Sequence, residues 1–254
     1  MPVQNINEQQ EALQAKEEAL LKVFFGYDTE VTSTNEGFEI KGTLESGTLE
    51  GGQEISVAVG HREDIPLEIE GVTLDLHLTG LPVKILRVNG KEFTGDYTIY
   101  LAPQTLEGVS LAADNFAVVE TNSIVIASMR DADCIANLVH EIGHIRLGHT
   151  VKERMRVIQI IQGTVGNYYN EETQSYNLEG MFANQTLMSA FKEVYGVEND
   201  ANNWAEEFFQ DPENPIFPND QANEKLKVYL QHMLALIYFD IYNNGLAEAV
   251  QSVN

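Results

Sequence analysis

The sequence predicts an α+β fold, a strand-rich N-terminal half followed by a mainly helical C-terminal half. Two changes of hydrophobic period carry that expectation. Residues 30 to about 101 fall into short alternating runs separated by glycine-rich or Asn-Gly turns. From residue 132 onward, apolar residues recur at helical spacing. The chain has 254 residues, of which 43% are hydrophobic and 9% aromatic. That is ample for a buried core and unlike the composition of a disordered chain.

In chain order, residues 8–25 read as a helix, with Leu13, Leu20, Leu21, Phe24 and Phe25 near helical spacing and Gly26 as a stop. Strands are expected at Phe38–Lys41, Ile55–Val59, Val72–Leu78, Val83–Leu86 and Tyr97–Tyr100. The doublets Gly51-Gly52 and Asn89-Gly90 mark turns between them. A further strand is expected at Ser123–Ala127. Helices are then expected near Ala132–Leu147, Lys152–Ile161, Gln185–Val194, Asn199–Phe209 and Asn223–Tyr242, with a proline-rich loop at Asp211–Pro218. The organisation read from this is an N-terminal helix over 1–28, a strand-rich region of unassigned role over 29–94, and a C-terminal domain over 95–254.

Fifteen Lys and Arg against 39 Asp and Glu leave a formal charge of −24. Such a balance argues against nucleic acid and against an anionic membrane surface as partners, because both are bound through clustered cations. Solubility alone accounts for such acidity, and a basic partner is compatible with it. The most apolar stretch, Val228–Tyr242, is interrupted by Gln231, His232 and Asp240 and is too short to span a bilayer. Met1-Pro2-Val3-Gln4 has neither the basic nor the apolar region of a signal peptide, and a cytoplasmic location is expected. The single cysteine, Cys134, suits a reducing compartment and is expected to pack as a small buried hydrophobe.

The segment Leu138-Val139-His140-Glu141-Ile142-Gly143-His144-Ile145-Arg146-Leu147-Gly148-His149 carries the chemistry, because it contains H-E-x-x-H. At about 100° per residue, Ile135, Leu138, Val139, Ile142 and Arg146 share a packing face, while His140 and His144 point to the other side with Glu141 beside them. Two imidazoles four residues apart can reach one tetrahedral cation, and the neighbouring glutamate can activate a water there. His149 would point back toward the packing face of a continued helix, and Gly148 is the expected helix end. The metzincin extension is excluded, since it needs Gly at 147 and His at 150 where the chain has Leu147 and Thr150. A catalytic zinc needs one further protein ligand. The segment Glu198–Phe209 is the best source, with Ala201 and Ala205 small enough to allow a close helix approach.

Together, the zinc helix Leu138–His149 and Glu198-x-x-Ala201-Asn202-x-Trp204-Ala205-x-x-Phe208 resemble the ImmA/IrrE-type metallopeptidases. The motifs span about two dozen residues, and with flanking elements the likeness reaches from about Tyr97 to Phe209. The resemblance implies a zincin-like metallopeptidase domain over 95–254, with an insertion around 150–197. It implies Zn2+ held by His140, His144 and Glu198, with Glu141 as general base. It further implies a protein or peptide substrate, of which a basic helix-turn-helix repressor is the family type. Asp200, Glu206 and Glu207 are the alternatives to Glu198 as third ligand. Tyr168, Tyr169, His232 and Arg146 are candidate donors to an oxyanion. Arg146, Lys152, Arg154 and Arg156 form a basic cluster that reads as a docking patch or, more simply, as a solvated helix face paired with carboxylates. The reading that competes with an enzyme is a non-catalytic protein-binding module on a zincin scaffold, and the intact Glu141 favours the enzyme.

Overall fold

The computed structural model describes residue 16 and residues 18–26, 28–66, 79–93, 95–102, 105–106, 109–110, 115–170, 172–173, 175–210 and 224–229. The expected strand at Val72–Leu78, the proline-rich loop, His232 and the last helix beyond residue 229 lie outside them. The fold is α+β, as the two hydrophobic periods predict. Helix α1 (residues 18–25) leads into β1 (Glu30–Thr34), β2 (Gly37–Thr43), β3 (Glu54–Val59), β4 (Glu63–Asp64), β5 (Thr79–Val88), β6 (Lys91–Glu92) and β7 (Thr98–Leu101). Next come β8 (Thr105–Leu106), β9 (Val109–Ser110), β10 (Phe116–Val118) and β11 (Ser123–Ile126). Helices α2 (Ala132–Leu147) and α3 (Val151–Val165), the short strands β12 (Tyr169–Asn170) and β13 (Ser175–Tyr176), and helices α4 (Leu178–Ala183) and α5 (Gln185–Gln210) complete the order, with residues 224–229 helical again.

One nine-stranded sheet runs in the order β1-β2-β3-β5-β7-β11-β10, with β4 and β6 paired to β5. All its pairs are antiparallel except β7 with β11, where Thr98 to Leu101 align with Ser123 to Ile126. Because β5 pairs with β7, the sheet joins strands from both sides of residue 94. Its alternation is that of a sheet covered on one face. Phe38, Ile40, Ile55, Val57, Val59, Val83, Ile85 and Val88 are buried. The intervening Glu39, Lys41, Ser56, Lys84 and Arg87 line a groove together with Leu86 and Phe93. Leu21, Phe24 and Phe25 of α1 and Ile135, Leu138, Val139 and Ile142 of α2 join the strand residues in one apolar cluster.

The strand-rich half also fixes the start of α2. The Asp133 carboxylate accepts from the backbone N–H groups of Thr48 (2.9 Å) and Leu49 (2.8 Å). Glu45 exchanges backbone bonds with Arg130 and Ala132 (2.9 and 3.0 Å). Downstream, the segment expected to hold two helices forms the single helix α5. Leu187, Ala190, Val194, Glu198, Ala201, Ala205 and Phe209 make a continuous buried stripe along it. That stripe outweighs the cost of Gly196, about 1 kcal/mol, and the low helix propensity of the Asn-rich turn after it. Among the described residues, no helix is long and apolar enough to cross a membrane.

Candidate metal centre

Both ends of α2 are set by local chemistry. Asp131 caps its N-terminus by accepting from Cys134 N–H (3.1 Å). Gly148, at φ +72°, takes the left-handed conformation that ends it, and His149 N–H then reaches His144 O (3.0 Å). Between these ends the helix buries both faces. One side carries Ile135, Leu138, Val139 and Ile142 into the sheet-side core, as the helical wheel predicts. The other turns His140 and His144 toward α5, where Gly143 makes the approach close. A Cβ built on Gly143 would lie 2.9 Å from Ala201 O and 3.2 Å from Ala201 Cα. Ala201 and Ala205 are fully buried at this crossing, in keeping with the role expected of their small size.

That approach brings three ligand atoms together. His140 Nε2 and His144 Nε2 lie 3.1 Å apart, and Glu198 Oε2 lies 3.2 Å from each. A tetrahedral ion with bonds of about 2.0 Å spaces its ligands about 3.3 Å apart, so the triangle has the size of one tetrahedral face. His140, His144 and Glu198 are at most 2% exposed. They form the one group among the described residues able to hold a metal ion in this way. Two nitrogens and one carboxylate oxygen match the donor preference of Zn2+ in a site that keeps a position open.

The surrounding residues set the orientation and charge of the three side chains. His140 Nδ1–H donates to Asn202 Oδ1 (2.7 Å), which turns Nε2 toward the triangle. His144 Nδ1 pairs with His149 Nδ1 (3.0 Å), so the imidazole past the helix end orients the His144 ring. Arg154, from α3, donates to Glu198 Oε1 (3.0 Å). Burial disfavours a charged Glu198, but hydrogen bonds from the two histidines and the nearby Arg154 outweigh it and hold the carboxyl well below its ordinary value. Burial pushes His144 down to about 3. It opposes protonation of His140 as well, but there Glu198 and Glu141 prevail and the imidazole is raised.

Glu141 is buried at 6% exposure next to the triangle, and desolvation lifts its carboxyl to about 7. The backbone N–H of Ala117, on the terminal strand β10, donates to it. Glu141 Oε2 has no partner among the described residues. A buried acceptor of this kind, beside a metal-sized triangle, is chemically able to take up a proton.

The structure thus brings His140, Glu141, His144 and Glu198 together. The alternative third ligands lie elsewhere: Asp200 and Glu207 are exposed, and Glu206 faces Lys227 at 3.9 Å. Of the candidate oxyanion donors, Tyr168 accepts from Asn184 (2.8 Å), Tyr169 packs against Tyr176, and Arg146 lines a cavity with Phe93, Asp96 and Tyr97. Two members of the basic cluster pair with α5 carboxylates, Arg154 with Glu198 and Arg156 with Glu193 (2.6 Å). Cys134 is a free thiol that burial raises to about 12, an inert state. Sequence reasoning gave no role at the centre to Asn202, His149 or Arg154. Asn202 carried a usable signal, since it lies one helical turn after Glu198 on the same face.

Comparison with protein-family models, with curated proteins and with solved structures gives no match to this chain.

Proposed function

We propose that this protein is a zinc-dependent endopeptidase of the kind the ImmA/IrrE-like motifs imply, acting on a protein substrate. The observation that carries the reading is the buried His140–His144–Glu198 triangle with Glu141 beside it. A Zn2+ held there supplies Lewis acidity, polarising a carbonyl and acidifying a water.

The chain's own residues do the rest. Glu141 accepts the proton of the attacking water as the C–O bond forms, then delivers it to the amine as the C–N bond breaks, so that one water is consumed per peptide bond. A carboxyl raised to about 7 is suited to both halves of that transfer. Ala117 N–H holds the glutamate in place from β10, which ends the sheet order. An extended peptide added beside β10 would run past Glu141, and main-chain pairing of that sort tolerates varied side chains. A basic helix-turn-helix repressor remains the substrate type we favour, from the family resemblance and the −24 charge.

The test pairs metal analysis with Glu141→Gln. The variant is expected to keep its zinc and lose about 10²- to 10⁴-fold in cleavage of a basic regulator encoded beside this protein. Folded protein that takes up no metal contradicts the reading.

A further inference from the structure

The geometry points to Arg154 as the positioning residue that makes Glu198 present a single oxygen to the metal, an inference that rests on the metal-centre reading above. A carboxylate can grip an ion through one oxygen or through both, and two-oxygen binding adds a fifth donor that crowds the position of a reacting water. Here the two oxygens of Glu198 have different partners. Oε2 completes the triangle at 3.2 Å from each imidazole, while Oε1 takes the Arg154 guanidinium at 3.0 Å. A charge-assisted bond at a buried carboxylate is among the stronger polar contacts available, so it holds Oε1 away from the ion. The donor comes from α3, within the segment that separates the two halves of the metal motif, which gives that segment a task at the centre.

Arg154 does not have to hold α3 in place. Val157, Ile161 and Val165 of α3 pack with Leu187, Ala190 and Val194 of α5 in an apolar cluster of their own. A second Arg–Glu pair, Arg156 with Glu193, joins the same helices at the surface, where both side chains are about half exposed. Arg156 is therefore a matched control: the same residue type on the same helix pair, with Glu193 as its partner and not a ligand.

The test uses Co2+ alone as the probe, because its visible absorption is intense when four-coordinate and weak when five-coordinate. The full-length parent and Arg156→Met are expected to give the same intense bands. Arg154→Met is expected to bind Co2+ with bands several-fold weaker and shifted to shorter wavelength, as Glu198 closes both oxygens on the ion. Arg154→Lys, which still offers an N–H to Oε1, is expected to restore the parent spectrum. A parent-like spectrum from Arg154→Met overturns the inference while leaving the metal centre standing. A crystal structure of the Zn2+-loaded parent with both Glu198 oxygens bonded to the ion overturns it whatever the variants do. A parent that binds no Co2+ removes the metal-centre reading and this inference together.

Discussion

Glu141 has a consequence for stability apart from catalysis. Its carboxyl rises from 4.5 to about 7 on folding, chiefly through burial. Between those values the folded metal-free protein keeps a proton that the unfolded chain has released. Glu141 therefore costs stability as pH climbs through that window, by about 3 kcal/mol once both states are ionised. Metal-free Glu141→Gln is expected to be more stable than the parent at pH 8, with the difference gone near pH 4. Thermal denaturation at a series of pH values in the presence of a chelator checks this, and a pH-independent difference contradicts it. A second expectation concerns Asn202, whose Oδ1 fixes the His140 tautomer. Asn202→Leu should weaken zinc binding about 10- to 100-fold in competition with a chromophoric chelator. At this scale the sequence was legible where residues share one helix. His140, Glu141 and His144 follow from spacing, and Glu198 follows from the second motif. His149 was set aside because a continued helix would aim it at the packing face. The left-handed turn at Gly148 sends it back against His144 instead. Arg154 reaches Glu198 from another helix, and sequence spacing carries no signal for such a contact.

At the scale of elements, the centre depends on how closely α2 and α5 cross. Gly143 is the point of contact, and a methyl group there meets the Ala201 backbone rather than a side chain able to rotate away. Gly143→Ala is expected to destabilise the fold by about 1–3 kcal/mol. It should also weaken zinc binding, because Glu198 and Asn202 flank Ala201 on α5. Denaturant titration with metal competition reads both effects, and unchanged values for both contradict the crossing as the organising contact. Element boundaries were most legible for α2, whose predicted span Ala132–Leu147 is the observed one, because a capping Asp and a terminal Gly bracket a strong apolar pattern. The unbroken α5 was not legible: Gly196 and the Asn-rich turn after it are helix-weakening locally, and only packing along the whole stripe overrides them.

Over the whole molecule, one sheet ties the strand-rich N-terminal region to the helices that carry the centre, through β5–β7 pairing and the Asp133 carboxylate. The α+β class was legible from the two hydrophobic periods. The sheet order was not, since pairing between distant strands leaves no local trace in sequence. The charge of −24 belongs to this scale as well. If the substrate is a basic regulator, its capture should slow as ionic strength rises, because long-range attraction is screened beyond roughly 8–10 Å at physiological salt. Stopped-flow association across a salt series tests this, and a salt-independent rate removes charge steering from the account. The most direct test of the metal-centre reading is zinc stoichiometry of the purified chain and its variants after dialysis. The account predicts one Zn2+ per chain in the parent and in Glu141→Gln, and loss of that zinc in His140→Ala and Glu198→Ala. A parent that is folded and zinc-free after incubation with Zn2+ would contradict it.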